Sequence, residues 1–123
     1  MSDPNFVILY VNDPLASAVF YAELLGHPAI EQSPTFAMFA LASGVMLGLW
    51  SRRTVEPEAT AAGGGAELAF ALDGIEAVHA RHADWRQRGL TIAQEPTAMD
   101  FGYTFLALDP DGHRLRVFAP TAA

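Results

Sequence analysis

The sequence predicts an α+β fold built from two successive β-α-β-β-β modules. Three observations predict it. Asp13 and Asp73 each open a run with apolar residues at helical spacing, closed by Gly26 and Gly89 respectively. Each run follows one short apolar strand signal and precedes three more. Between the two patterns lies a stretch without periodicity that ends in Gly63-Gly64-Gly65. Module one is therefore expected at about residues 5–53, the linker at 54–65 and module two at 66–120, all within one domain.

Phe6–Val11 is a continuous apolar run of strand length, which predicts a buried strand. Asp13 offers a capping oxygen and Pro14 a preset φ for the first turn of the helix that follows. Leu15, Ala18, Val19, Tyr21, Ala22, Leu24 and Leu25 give that helix a broad apolar face, and Gly26 ends it. Strands are expected at residues 29–31, 36–42 and 45–50, the last two joined by a Ser43-Gly44 turn. The linker predicts a flexible connector. Its glycines precede a strand, not a helix, which argues against a phosphate-binding loop.

Residues 67–73 predict a second buried strand. Ile75, Val78, His82 and Trp85 then recur at helical spacing, which puts Trp85 between helix and sheet. Strands are expected at 91–94, 103–108 and 114–118. Asp109-Pro110-Asp111-Gly112 makes the last two a tight antiparallel hairpin, with φ preset at Pro110 and a positive φ open to Gly112.

Of 123 residues 51% are hydrophobic and 17% charged, which excludes a disordered chain. The absence of cysteine excludes disulfides, thiolate metal sites and thiol nucleophiles. Residues 1–5 lack the basic patch of a signal peptide, and the uncharged run 33–51 is interrupted and too short to span a bilayer. The expectation is a soluble cytoplasmic protein that does not engage membranes. Net charge is −7 and all seven basic residues are arginine, without a basic stripe, so nucleic acid is excluded as a partner. His79 and His82 lie three apart on a helix with no carboxylate arranged to join them, and His27 and His113 adjoin a helix end and a turn. All four are assigned to packing or surface roles.

A strand running into Val11-Asn12-Asp13, a helix ending Phe20-Tyr21-Ala22-Glu23-Leu24-Leu25-Gly26 and the late Asp109-Pro110-Asp111-Gly112 hairpin together resemble the vicinal-oxygen-chelate superfamily. That group contains glyoxalase I, extradiol dioxygenases and the bleomycin-resistance proteins. The resemblance implies that the two modules' sheets form a cup, often completed across a dimer, so a homodimer is expected. In the enzymes of this group histidines and carboxylates hold a divalent ion, on the first and last strands of each module. Those positions fall here on Phe6, Gly48 (Leu47 if shifted by one), Glu67 and Arg116. Only Glu67 can ligate, and Arg116 is a permanent cation. The expectation is a protein with no metal and no other cofactor.

Strand alternation from these positions sends Phe6, Ile8 and Tyr10 into the cup and Val7, Leu9 and Val11 under the helices. Met46, Gly48 and Trp50 follow from the fourth strand, Glu67, Ala69 and Ala71 from the fifth, and Arg114, Arg116 and Phe118 from the eighth. Phe36 and Met38 are expected to join from the third strand, and Phe101 and Tyr103 from the segment before the hairpin. Gly48, Ala69 and Ala71 leave room between the large rings. Trp50 is either packing or a ring that stacks on a ligand. Glu67 and Arg116 either pair with each other or orient a ligand's polar edge, an amine on Glu67 and a carboxylate or phenolate on Arg116. Gln94 and Asp100 are secondary rim candidates.

Taken with the resemblance, these residues imply a metal-free protein of the bleomycin-resistance type. It would sequester a planar aromatic or amphipathic small molecule, such as a phenazine or a glycopeptide-like antibiotic, and so confer resistance by binding. The alternative is a metal-independent isomerase or lyase with Glu67 as its base. A third reading is a ligand sensor or a purely structural dimer.

Overall fold

In a computed structural model, which describes residues 3–121, each half of the chain folds β-α-β-β-β. The two halves are separate compact units, and the chain passes from one to the other between Ala61 and Ala62. In the first, β1 (Phe6–Val11), α1 (Pro14–Leu25), β2 (Glu31–Gln32), β3 (Phe36–Ala40) and β4 (Met46–Ser51) form a sheet of order β1-β4-β3-β2. Strand β1 runs parallel to β4, and the other pairs are antiparallel.

Asp13 starts α1 as expected: its Oδ1 accepts from the amides of Leu15 at 3.1 Å and Ala16 at 3.3 Å. Gly26 closes the helix, its amide donating to the Ala22 carbonyl at 2.9 Å. The helix buries Pro14, Ser17, Ala18 and Tyr21, and Tyr21 meets Phe39 edge-on at 6.5 Å. Leu15 and Val19 are exposed, so the buried face is narrower than their apolarity suggested. Beneath α1 the core comprises Val11, Ala37, Phe39, Leu47 and Leu49.

The second unit contains β5 (Glu67–Ala71), α2 (Ile75–Gln87), β6 (Thr91–Met99), β7 (Gly102–Leu108) and β8 (Arg114–Pro120), in sheet order β5-β8-β7-β6. Trp85 is 2% exposed and lies edge-on to Phe70 at 5.6 Å and Phe105 at 5.5 Å, which makes it the centre of this core. The hairpin turn closes through the Gly112 amide on the Asp109 carbonyl at 3.1 Å, with Gly112 at φ 83°. The buried Asp109 carboxylate accepts from the amides of Asp111 and His113, both at 2.8 Å.

Several expectations are corrected. Helix α2 is preceded by Gly74 and has no side-chain cap, because β5 already ends at Ala71 and Asp73 does not reach the first turn. Strands β1 and β5 are not buried: each pairs with one neighbour at a sheet edge, and Phe6, Val7 and Ile8 are all exposed. Strand β6 continues past Pro96 because an edge strand tolerates proline and its register shifts between Gln94 and Thr97. The linker is seated at both ends rather than simply flexible. Val55 is buried, and a Cβ on Gly63 would lie 2.9 Å from the His113 ring. Among the described residues no helix is long and apolar enough to cross a membrane.

Candidate functional site

Cross-strand partners share a face, so the register of the first sheet defines one surface turned away from α1. Phe6 pairs with Met46, Ile8 with Gly48 and Tyr10 with Trp50. Phe36 then pairs with Trp50, Met38 with Gly48 and Glu31 with Met38. All eight first-module residues assigned from alternation (Phe6, Ile8, Tyr10, Phe36, Met38, Met46, Gly48 and Trp50) therefore lie on this face. The same register places Leu47 on the opposite side, in the core, so Gly48 is the face residue of that pair.

An open, mainly apolar recess of about 450 Å³ occupies this surface, lined by Phe6, Ile8, Glu31, Phe36 and Trp50. Its volume falls within the range of small-molecule sites. Tyr10 braces Trp50 from the side, edge-on at 6.3 Å. Gly48 does not leave a gap as expected: a Cβ there would stand 2.9 Å from Phe36 Cζ and 3.1 Å from Phe6 Cε1. The two phenyl rings lean over the bare Cα and form the floor. Glu31 was missed by sequence reasoning. A two-residue strand shows no alternation, and the signal lies in the pairing of β2 with β3.

On the second sheet, the face turned away from α2 carries a polar cluster. Glu67 and Arg116 do pair, through Nε to Oε1 at 3.0 Å and Nη2 to Oε2 at 2.9 Å. Arg116 Nη1 also donates to Gln94 Oε1 at 2.7 Å and, longer, to Thr104 Oγ1 at 3.4 Å. Arg114 Nε lies 3.0 Å from Glu67 Oε2 and forms a second ion pair. The Arg116 hydrogen bonds hold the Glu67 carboxyl below the usual carboxylate range despite partial burial, and the charges of Arg116 and Arg114 and the close Arg114 contact add to this. Gln94 is thus part of this clamp, and Asp100 stands exposed in the turn before β7.

Phe118 shares this face with Arg116, and Phe101 packs edge-on against it at 5.8 Å. Tyr103 does not join them. It pairs with Ala119, one residue out of phase with Phe118, and its ring packs on His79 of α2 at 5.1 Å. Thr104 takes the position on the face that Tyr103 was expected to hold, because the hairpin register aligns Thr104 with Phe118. The other helix histidine, His82, packs on Phe105 and meets the Glu95 carboxylate at 3.3 Å.

The four positions that hold a divalent ion in vicinal-oxygen-chelate enzymes thus present a phenyl ring, a bare Cα, a carboxylate flanked by two guanidiniums, and a guanidinium. That donor set does not fit a divalent cation. A carboxylate with its proton affinity lowered by two arginines is also a poor general base.

A family model described as the Glyoxalase/Bleomycin resistance protein/Dioxygenase superfamily matches residues 4–117. The phenazine antibiotic resistance protein EhpR of Enterobacter agglomerans is 28% identical over 117 residues, spanning 93% of this chain and 89% of EhpR. Among solved structures, the solution structure of protein ATC0852 from Agrobacterium tumefaciens superposes with a TM-score of 0.91 at 52% identity, covering 99% of this chain and 100% of that one. A glyoxalase-related enzyme from Fulvimarina pelagi gives a TM-score of 0.83 at 21% identity, covering 100% and 94%, a likeness of fold.

Proposed function

Because the chain belongs to the glyoxalase/bleomycin resistance protein/dioxygenase superfamily, we propose that it is one of its metal-free binding members, holding a planar aromatic small molecule without altering it. The observation that carries this reading is the recess on the first sheet. Three aromatic side chains and Ile8 provide flat apolar walls, and Glu31 is the single carboxylate among them. Apolar burial and offset stacking, the latter ~0.5–1.5 kcal/mol per ring pair, supply the affinity. Glu31 orients a ligand N–H or cation at the rim. The similarity to a phenazine antibiotic resistance protein supports a flat heteroaromatic ligand, and with it resistance by sequestration.

The enzymatic alternative through Glu67 has no observation in its favour, since both carboxylate oxygens are already engaged by Arg116. Fluorescence titration with a phenazine tests the binding reading. Trp85 is buried and supplies a ligand-insensitive background, so quenching reports Trp50. Trp50→Ala should weaken binding by ~1–3 kcal/mol, and Trp50→Phe should recover part of the loss. Affinity unchanged in Trp50→Ala would show that Trp50 is packing only, and chemical conversion of the recovered ligand would show an enzyme instead.

A further inference from the structure

Charge is unevenly placed in the recess of the first sheet. Phe6, Ile8, Phe36 and Trp50 bring no charge, and Glu31 is the one charged side chain on its lining. In the second unit Glu67, Asp84 and Glu95 are each paired with arginine. Glu31 is not. Among the described residues its carboxylate makes neither an ion pair nor a hydrogen bond, although Arg52 and Arg53 follow directly on β4. Its place is nonetheless fixed. The Ile30 amide donates to the Met38 carbonyl and the Ser33 amide to the Phe36 carbonyl, both at 2.8 Å, so β2 is pinned to β3 on either side of Glu31. The surrounding unit has the same sign as Glu31, since residues 3–61 carry six carboxylates and two arginines.

We propose that the recess selects a flat aromatic cation, such as an N-alkylated nitrogen heterocycle, over neutral and anionic molecules of the same shape. This rests on the reading of the recess as a small-molecule site and assigns the charge of its ligand. Two attractions act together on a permanently cationic ring. The faces of Phe6, Phe36 and Trp50 carry the negative part of the ring quadrupole and favour a cation placed over them. Glu31 supplies a full opposite charge at the ring's edge, and no existing ion pair has to break for it to do so. An anion gains from neither, and the field of a chain of net charge −7 opposes its approach. The neutral ring keeps the apolar burial and the stacking alone.

The probes 5-methylphenazinium, phenazine and phenazine-1-carboxylate share one ring system and are cationic, neutral and anionic at pH 7. Calorimetric titration with each, in the dark, should rank the cation first, about tenfold tighter than the neutral ring, and the anion last. The lead of the cation should narrow at about 1 M salt, where screening acts within ~3 Å. Glu31→Gln keeps the shape of the side chain and should reduce the ratio of cation to neutral affinity to about twofold, the part that the rings supply. Glu31→Lys should place the anion first, a gain of binding that a misfolded variant cannot produce. Equal affinity for cation and neutral ring, or a tenfold ratio that survives Glu31→Gln, would overturn the charge assignment and leave the recess standing as a site. No binding of any of the three at millimolar concentration would remove the recess as a site and the charge assignment with it.

Discussion

Gly48→Ala separates stability from binding more cleanly than any other single change in this chain. The added methyl would stand 2.9 Å from Phe36 Cζ and 3.1 Å from Phe6 Cε1, whereas comfortable carbon contacts begin near ~3.5 Å. Each ring must therefore withdraw by roughly half an ångström. Phe6 is 41% exposed on an edge strand, so its ring can swing outward at little cost. Against that cost stands the reduced backbone freedom of the unfolded chain, which favours alanine by about 0.4–1 kcal/mol where the backbone permits it. Gly48 does not have a positive φ, so the strand accepts a Cβ. Net stability should stay within about 1 kcal/mol of wild type by urea denaturation. Binding should not be spared, because the methyl displaces the two rings that form the floor of the recess. Phenazine affinity, followed by tryptophan fluorescence, should fall at least about tenfold, the equivalent of ~1.4 kcal/mol. Unchanged affinity would place the ligand elsewhere, and a loss of stability above ~2 kcal/mol would show that the rings are locked rather than mobile.

Three further outcomes are expected. Glu67 has a lowered pKa when folded, so its ion pair contributes fully above the ordinary carboxylate value of 4.5 and is lost as pH falls through the lowered value. The stability gap between wild type and Glu67→Gln should accordingly be present at pH 7 and shrink at pH 3; a gap independent of pH would contradict the pairing. Asp13→Ala should cost about 1 kcal/mol by removing the cap of α1, while Asp73→Ala should stay within about 0.5 kcal/mol; equal losses in denaturant melts would refute the difference in capping. Finally, we propose a homodimer that covers Val7 on the exposed edge of β1 and leaves Phe6 and Ile8 to the recess. Light scattering should report two copies, and Val7→Lys should shift the population towards monomer; a wild-type monomer at high micromolar concentration would defeat this.

Much of the architecture was legible in the sequence because its causes are local. Asp13, Pro14 and Gly26 bound α1 through contacts within a few residues of each other, and Asp109 to Gly112 close their turn the same way. The shared face of Phe6, Ile8, Met46, Gly48 and Trp50 followed from an alternation that each strand enforces on itself. The pairing of Glu67 with Arg116 followed from placing opposite charges on neighbouring strands. The face of Tyr103 was readable too, had the register been counted back from the hairpin, which sets Leu108 opposite Arg114 and so Thr104 opposite Phe118.

Other features belong to the tertiary structure. An apolar run has the same pattern whether a strand has one neighbour or two, so Phe6–Val11 gave no sign that the order β1-β4-β3-β2 leaves it at an edge. Glu31 joined the recess only through the pairing of a two-residue strand, too short to show any period. That Arg114 would join Arg116 on Glu67 was decided by the spatial arrangement of the strands, which brings its Nε within 3.0 Å of Oε2. At Gly48 a missing side chain suggested room, but Phe6 and Phe36 from the two flanking strands close over it. Apolar rings settle on whatever surface lies within reach and leaves less of them in water, and which surface that is depends on the neighbouring strands.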